Sequence, residues 1–187
     1  MQEFRVSVND KGEIVDKKPI GTKFTDSFDS ETGYRLARST WGSTQYACKP
    51  FPEELSHADI GKLTLIARNY LLSNNLLGEK KNNRNYAFTT VAEICKAIGI
   101  SSKTQGHTFI KKMIDCGVIK KVDGYFYMNP CYFIKNCERL SFKMFAMFYM
   151  DLRVLLPAAL YRQMFSACMS KKLLTHDDYE KAKALMR

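Results

Sequence analysis

Apolar positions along this chain recur at helical spacing, give way to a shorter strand-like pattern, and then return to helical spacing. From Glu53 to Leu77, the residues Leu55, Ile60, Leu63, Ile66, Ala67, Tyr70 and Leu71 fall three or four apart, which places them on one face of a helix. Ser56 supplies an N-cap, with Asp59 three residues on. Residues 78–85 (GEKKNNRN) are polar almost throughout and read as a loop, with Tyr86 and Phe88 as a short strand or lead-in. Helical spacing then appears twice in quick succession. Thr90 and Glu93 form a capping box opening a short helix with Val91, Ile94, Cys95 and Ile98 on its buried side. Gly99 ends it and Ile100 tucks back beneath. Ser101 or Ser102 caps a longer helix whose inward face is Gly106, Phe109, Ile110, Met113 and Ile114, and Gly117 closes it. Val118, Ile119 and Val122 then predict a strand, Asp123-Gly124 a two-residue hairpin turn, and residues 125–128 its return.

Short helix, glycine-containing turn, longer helix and hairpin together predict a winged helix-turn-helix. The flanks add to this. Val6, Val8, the turn residues Asn9-Asp10-Lys11-Gly12, Ile14 and Val15 predict an N-terminal β-hairpin. Residues 17–48, rich in Gly, Ser, Thr and Asp with scattered aromatics such as Trp41, read as an extended arm that docks on the core. After residue 135, Leu140, Phe142, Phe145, Ala146, Phe148, Tyr149 and Leu152 recur helically behind Ser141 as a cap. Pro157 suits the first turn of a further helix, Ala158 to Met169. Thr175 to Asp178 opens a short polar helix with a frayed end from Lys181 to Arg187. The expected class is therefore α+β, mainly α: hairpin and arm over 1–49, winged helix-turn-helix over 50–136, C-terminal helices over 137–187. The aromatic density of 140–169 fits both a helix across the back of the domain and a homodimer interface.

Leu140 to Leu160 is the most apolar run, but Lys143, Asp151, Arg153 and Pro157 interrupt it, and a membrane span needs roughly 20 predominantly apolar residues. No membrane partner is expected. Met1 to Asp10 lacks the apolar core of a signal peptide, so the expected location is the cytoplasm, with reduced thiols.

Charge narrows the partner. The chain carries 29 Lys and Arg against 19 Asp and Glu, a net +10, which favours polyanions. Residues 89–143 hold 9 basic and 4 acidic side chains, half of the net charge in under a third of the chain. With the inward face assigned as above, Lys103, Thr104, Gln105, Thr108, Lys111 and Lys112 lie on the outer side of the second helix, behind Ser102, with His107 on its flank. Gln pairs bidentately with adenine, Lys reaches guanine acceptors, and Thr offers a hydroxyl and a methyl. Lys111, Lys112 and the hairpin residues Lys120 and Lys121 are better suited to phosphate, which positions a protein without reading sequence. Tyr125 begins the returning strand of the wing. The expected partner is double-stranded DNA.

The wing runs into Tyr125-Phe-Tyr-Met-Asn-Pro-Cys-Tyr-Phe-Ile-Lys135, preceded by ISS…FIKKMIDCGVIKK. Over residues 89–135 this resembles the winged-helix replication proteins of RepL type found on plasmids and phages, in which a YxMNPxxFIK/RG-like segment closes the wing. Asn136-Cys137 stands where that family often has glycine. The resemblance implies binding to a plasmid or phage origin, or to operator-like DNA. It also implies a recognition helix over 102–116, a wing over 118–127, and partners in replication or transcription. The same module serves repressors, so a transcriptional regulator is the alternative. A second alternative is an adaptor whose aromatic C-terminal helices engage a replisome or polymerase component.

An enzyme is not expected. Glu53, Glu54, His57 and Asp59 cluster at a helix start, where acids suit the helix dipole. The chain has no Gly-rich phosphate loop, HExxH or nucleophile elbow, and no His cluster to accompany Tyr125 and Tyr127 in a relaxase-like role. Six cysteines at 48, 95, 116, 131, 137 and 168 include no CxxC pair, so neither a metal nor a cofactor is expected.

Overall fold

The computed structural model describes residues 4–8, 14–19, 27–31, 33–35, 43–45, 49–135 and 139–185. The turn at 9–12, Trp41, Cys48, Cys137 and the last two residues lie outside them. The architecture is α+β, with six α-helices and small antiparallel sheets among the described residues.

Strands β1 (Phe4–Val8) and β2 (Ile14–Pro19) pair antiparallel, Phe4 opposite Pro19 and Val8 opposite Ile14. The stretch read as an arm contributes three short strands, β3 (Ser27–Asp29), β4 (Gly33–Arg35) and β5 (Ser43–Gln45). Helix α1 (His57–Asn69) starts at Ser56 and Asp59, each side chain accepting the other's backbone N–H. It stops well short of Leu77. Asn74 and Asn75 take left-handed backbone (φ 57° and 56°) in a one-turn 3₁₀ helix, and Leu71 turns back to bridge Leu77. The leucines that extend the helical pattern are therefore buried from a loop.

The polar loop expected at 78–85 is instead part of a β-hairpin, β6 (Gly78–Lys81) with β7 (Arg84–Ala87). Asn82 and Asn83 both take positive φ (48° and 60°), as a tight two-residue hairpin turn requires. No apolar alternation marks these strands because residues 80–86 are exposed on both faces.

Helix α2 (Val91–Ala97) begins at the Thr90–Glu93 capping box. Helix α3 (Lys103–Asp115) begins at Ser102, whose Oγ accepts from Gln105 N–H. Both end the same way: at Gly99 (φ 75°) and Gly117 (φ 69°) the backbone turns left-handed. The following residue then donates back, Ile100 to the Cys95 carbonyl and Val118 to Met113, each at 2.9 Å. Strands β8 (Ile119–Val122) and β9 (Tyr125–Met128) form the next hairpin, closed by Asp123 and Gly124 at positive φ. Strand β10 (Phe133–Lys135) pairs with β5, and β11 (Arg139–Leu140) with β4, so the N-terminal segment is tied into the C-terminal half by main-chain bonds.

Helices α4 (Phe142–Leu152), α5 (Ala158–Ser170) and α6 (His176–Leu185) complete the chain. Ser141 caps α4, and Pro157 stands at the N-cap of α5 rather than inside it. The frayed end expected from Lys181 is corrected as far as Leu185. Ala182 is buried, and Tyr149 Oη donates to Asp178 Oδ1 at 2.9 Å, anchoring α6 on α4. No helix of the described residues is long and apolar enough to cross a membrane.

Two apolar clusters result, and β9 divides them. Phe126 and Met128 face the cluster of α1, α2 and α3, while Tyr127 between them faces the cluster of α4, α5 and α6. A strand covered on both faces needs apolar side chains at every position, which accounts for the unbroken Phe-Tyr-Met of residues 126–128.

Candidate nucleic-acid interface

Helix α3 presents two chemically distinct faces. Gly106, Phe109, Ile110 and Met113 are buried. Ile114, expected to face inward with them, is 37% exposed because it stands at the margin of the helical stripe that those four residues define. A Cβ on Gly106 would collide with the Cys95 sulfur, so glycine lets α2 and α3 approach closely. That approach sets the angle at which the outer face of α3 is offered.

On that face Lys103, Thr104, Gln105, His107, Thr108 and Lys111 are exposed, and the cap residue Ser102 is half-buried. Lys103 and His107 also line a mainly apolar groove of about 490 Å³ at the α2–α3 turn, with Lys96 and Ile100. The first turns of α3 thus carry a row of hydrogen-bonding side chains beside Lys103, and the helix is free of any carboxylate before Asp115.

The lysines expected to reach phosphate separate into two groups. Lys112 donates to Asp59 Oδ2 at 2.8 Å, which ties α3 to the start of α1. Burial would raise the Asp59 pKa, but the hydrogen bonds from Lys112 and Ser56 outweigh it and hold the carboxyl below its ordinary value. Lys120 and Lys121 are consecutive strand residues and therefore point to opposite faces of β8. Lys120 donates to the Met147 carbonyl at 2.8 Å, toward α4, whereas Lys121 lies 4.9 Å from the centre of the Phe126 ring on the other face. Lys103, Lys111 and Lys121 are left with their ammonium groups in no ion pair among the described residues. Tyr125, at the start of β9, is 39% exposed.

Behind the site, Asn129 is fully buried and joins three parts of the molecule. Its amide donates at 2.9 Å to the Gly117 carbonyl at the end of α3 and to Asp151 Oδ2 on α4, and its Oδ1 accepts from Cys131 N–H at 3.0 Å. Asp151 is also paired with Lys49. The Met-Asn-Pro segment after the hairpin therefore holds the hairpin and α3 against the C-terminal helices.

Sequence reasoning missed a second basic group. Lys80, Lys81 and Arg84 are exposed on the β6–β7 hairpin, and Lys96 stands on α2 beside it. The signal available was Asn-Asn flanked by basic residues, which is hairpin-turn chemistry without the usual apolar strands. No cluster of His, Cys, Asp or Glu suited to a metal occurs among the described residues, and Cys95, Cys116 and Cys168 are free thiols. Comparison with family models, with curated proteins and with solved structures gave no match to this chain.

Proposed function

We propose that this chain is a winged helix-turn-helix protein that binds double-stranded DNA in a sequence-dependent way. In this reading α3 is the recognition helix and the β8–β9 hairpin the wing. The observation that carries the reading is the outer face of α3. Lys103, Thr104, Gln105, Thr108 and Lys111 are exposed together on a helix that follows a short capped helix and a glycine turn and precedes a hairpin bearing Lys121. A helix of this kind enters the major groove by its first turns. Lys103 and Gln105 then read base edges, and Lys111 and Lys121 hold phosphate. Lys112 and Lys120 serve the fold through Asp59 and Met147. The likeness of residues 89–135 to RepL-type proteins adds a role in initiating or controlling plasmid or phage replication, with a repressor as the alternative use of the same surface.

The test is binding to duplex fragments of the protein's own gene and flanks over a series of salt concentrations. Wild type is expected to prefer one fragment. Lys103→Ala/Gln105→Ala is expected to lose that preference by tenfold or more, since a bidentate base contact is worth about 1–3 kcal/mol of discrimination. Lys111→Ala/Lys121→Ala is expected to weaken all fragments alike and flatten the slope of log K against log salt by about 0.9 per contact removed. The position of the preferred fragment, at an origin or at a promoter, separates replication from regulation. Absence of binding at low salt rejects the proposal.

A further inference from the structure

We infer that the β6–β7 hairpin is a second DNA-contacting arm, lying alongside the β8–β9 hairpin and gripping the phosphate backbone of the same duplex. This rests on the DNA-binding reading above and extends it to a part of the fold outside the helix-turn-helix and its wing.

The first support is topological. Leu76 bridges Tyr127 in the antiparallel sense, and Leu77 N–H donates to the Phe126 carbonyl at 2.8 Å. Strand β9 runs from its hairpin tip toward the core. A segment antiparallel to it must run from the core toward that tip, and β6 continues this segment directly from Leu77. The Asn82–Asn83 turn and the Asp123–Gly124 turn therefore project on the same side of the molecule. Cleft geometry gives independent support: Tyr125 of β9 and Glu79, Lys81 and Tyr86 of β6–β7 line one open groove of about 790 Å³. Most of its lining comes from β6–β7 and α2, Tyr125 is the residue that the β8–β9 hairpin adds, and Tyr86 and Tyr125 are 48% and 39% exposed along it.

Charge identifies the partner. The hairpin carries Lys80, Lys81 and Arg84 against Glu79 alone, and Lys81 is paired with Glu79. Lys80 and Arg84 take part in no ion pair among the described residues. Lys96 of α2, which lines the groove with Lys81, is a further exposed cation beside the hairpin. Glu93, the other carboxylate there, accepts the backbone N–H groups of Thr89 and Thr90, which hold its pKa down and fix it as a helix cap. Side chains from Lys80 to Tyr86 are all exposed, so this hairpin supports no core, and a two-stranded hairpin without a packed face is marginal in water. Its exposed cations and asparagines suit phosphate oxygens, which accept hydrogen bonds and carry the charge that these residues lack within the fold.

The experiment compares wild type, Lys80→Ala/Arg84→Ala and Lys103→Ala/Gln105→Ala on the preferred fragment and on a scrambled duplex. Thermal melts serve as the folding control, since positions 80 and 84 touch no core. Removing the hairpin cations is expected to weaken both duplexes by a similar factor, roughly tenfold at moderate salt. The salt slope should flatten by nearly two, with fragment preference kept. Hydroxyl-radical footprinting is expected to show protection receding at one flank of the site. If affinity, slope and footprint stay as in wild type while the α3 variant loses its preference, the second arm is refuted and the recognition helix stands. If wild type binds neither duplex, both readings fall together.

Discussion

Asn75 and Asn129 are fully buried amides that connect segments far apart in sequence. Asn75 sits at φ 56°, donates to the carbonyls of Met128 (3.0 Å) and Phe133 (2.7 Å), and accepts from Lys135 N–H (2.9 Å). Asparagine tolerates left-handed backbone better than most side chains, and here it also satisfies three main-chain groups inside the core. Asn75→Ala is expected to cost about 2–4 kcal/mol, from three stranded polar groups, read as a lower urea midpoint at unchanged slope. Asp59 adds a pH dependence. Its carboxyl is held below the ordinary value in the folded state, despite burial, by Lys112 and Ser56. On acidification the unfolded chain takes up this proton first, so the contribution is present above the ordinary carboxylate range and fades as pH falls through the lowered pKa. Lys112→Met is expected to show a smaller loss of stability between about pH 5 and pH 2, measured by denaturant titration at each pH.

At the scale of elements, the α2–α3 pair is governed by one close approach. Gly106→Ala raises helix propensity by about 1 kcal/mol, yet the new methyl collides with the Cys95 sulfur. The collision is expected to win, with a net cost of about 1–3 kcal/mol, because both positions are buried and the helices cannot separate without opening the core. Cys95→Ala/Gly106→Ala removes the sulfur and is expected to recover most of that loss. The two losses adding independently would show that the helices are not in contact there. The β6–β7 hairpin illustrates the opposite case, an element with no buried face, shaped by its turn: Asn82 and Asn83 in left-handed backbone fold back two strands whose side chains meet water.

For the whole molecule, the decisive arrangement is a hairpin strand shared by two cores. Strand β9 sends Phe126 and Met128 to one cluster and Tyr127 to the other, while Asn129 and Asp151 bond across the junction. Neither cluster can lose its packing without exposing β9, so the described residues are expected to unfold in one transition. Phe145→Ala in the C-terminal cluster and Met113→Ala in the other, both at full burial, should each cost about 2–5 kcal/mol. Each should shift the same melting transition by fluorescence and by circular dichroism. A Phe145→Ala protein melting in two separated steps would overturn this coupling.

Local chemistry made much of this legible in the chain itself. Ser56, Thr90, Ser102 and Ser141 announce helix starts because their side chains satisfy backbone N–H groups within three residues. Gly99, Gly117 and the Asp123–Gly124 turn announce helix ends and a hairpin because few residues other than glycine, Asn and Asp take such backbone cheaply. The polar outer face of α3 follows from the same spacing that buries Phe109, Ile110 and Met113. Tertiary structure alone decided which cations are engaged: Lys112 meets Asp59 across 53 positions and Lys120 meets Met147 across 27, distances over which spacing carries no information. It alone decided that Leu71 and Leu77 are buried from a loop, since burial can hold a leucine in any backbone shape. It alone made strands of residues 33–35 and 43–45, whose partners at 133–140 supply the main-chain bonds. Patterns in a chain report what each residue does to its near neighbours and to water. Which distant element takes a side chain's charge or covers its face is settled only when the chain closes on itself.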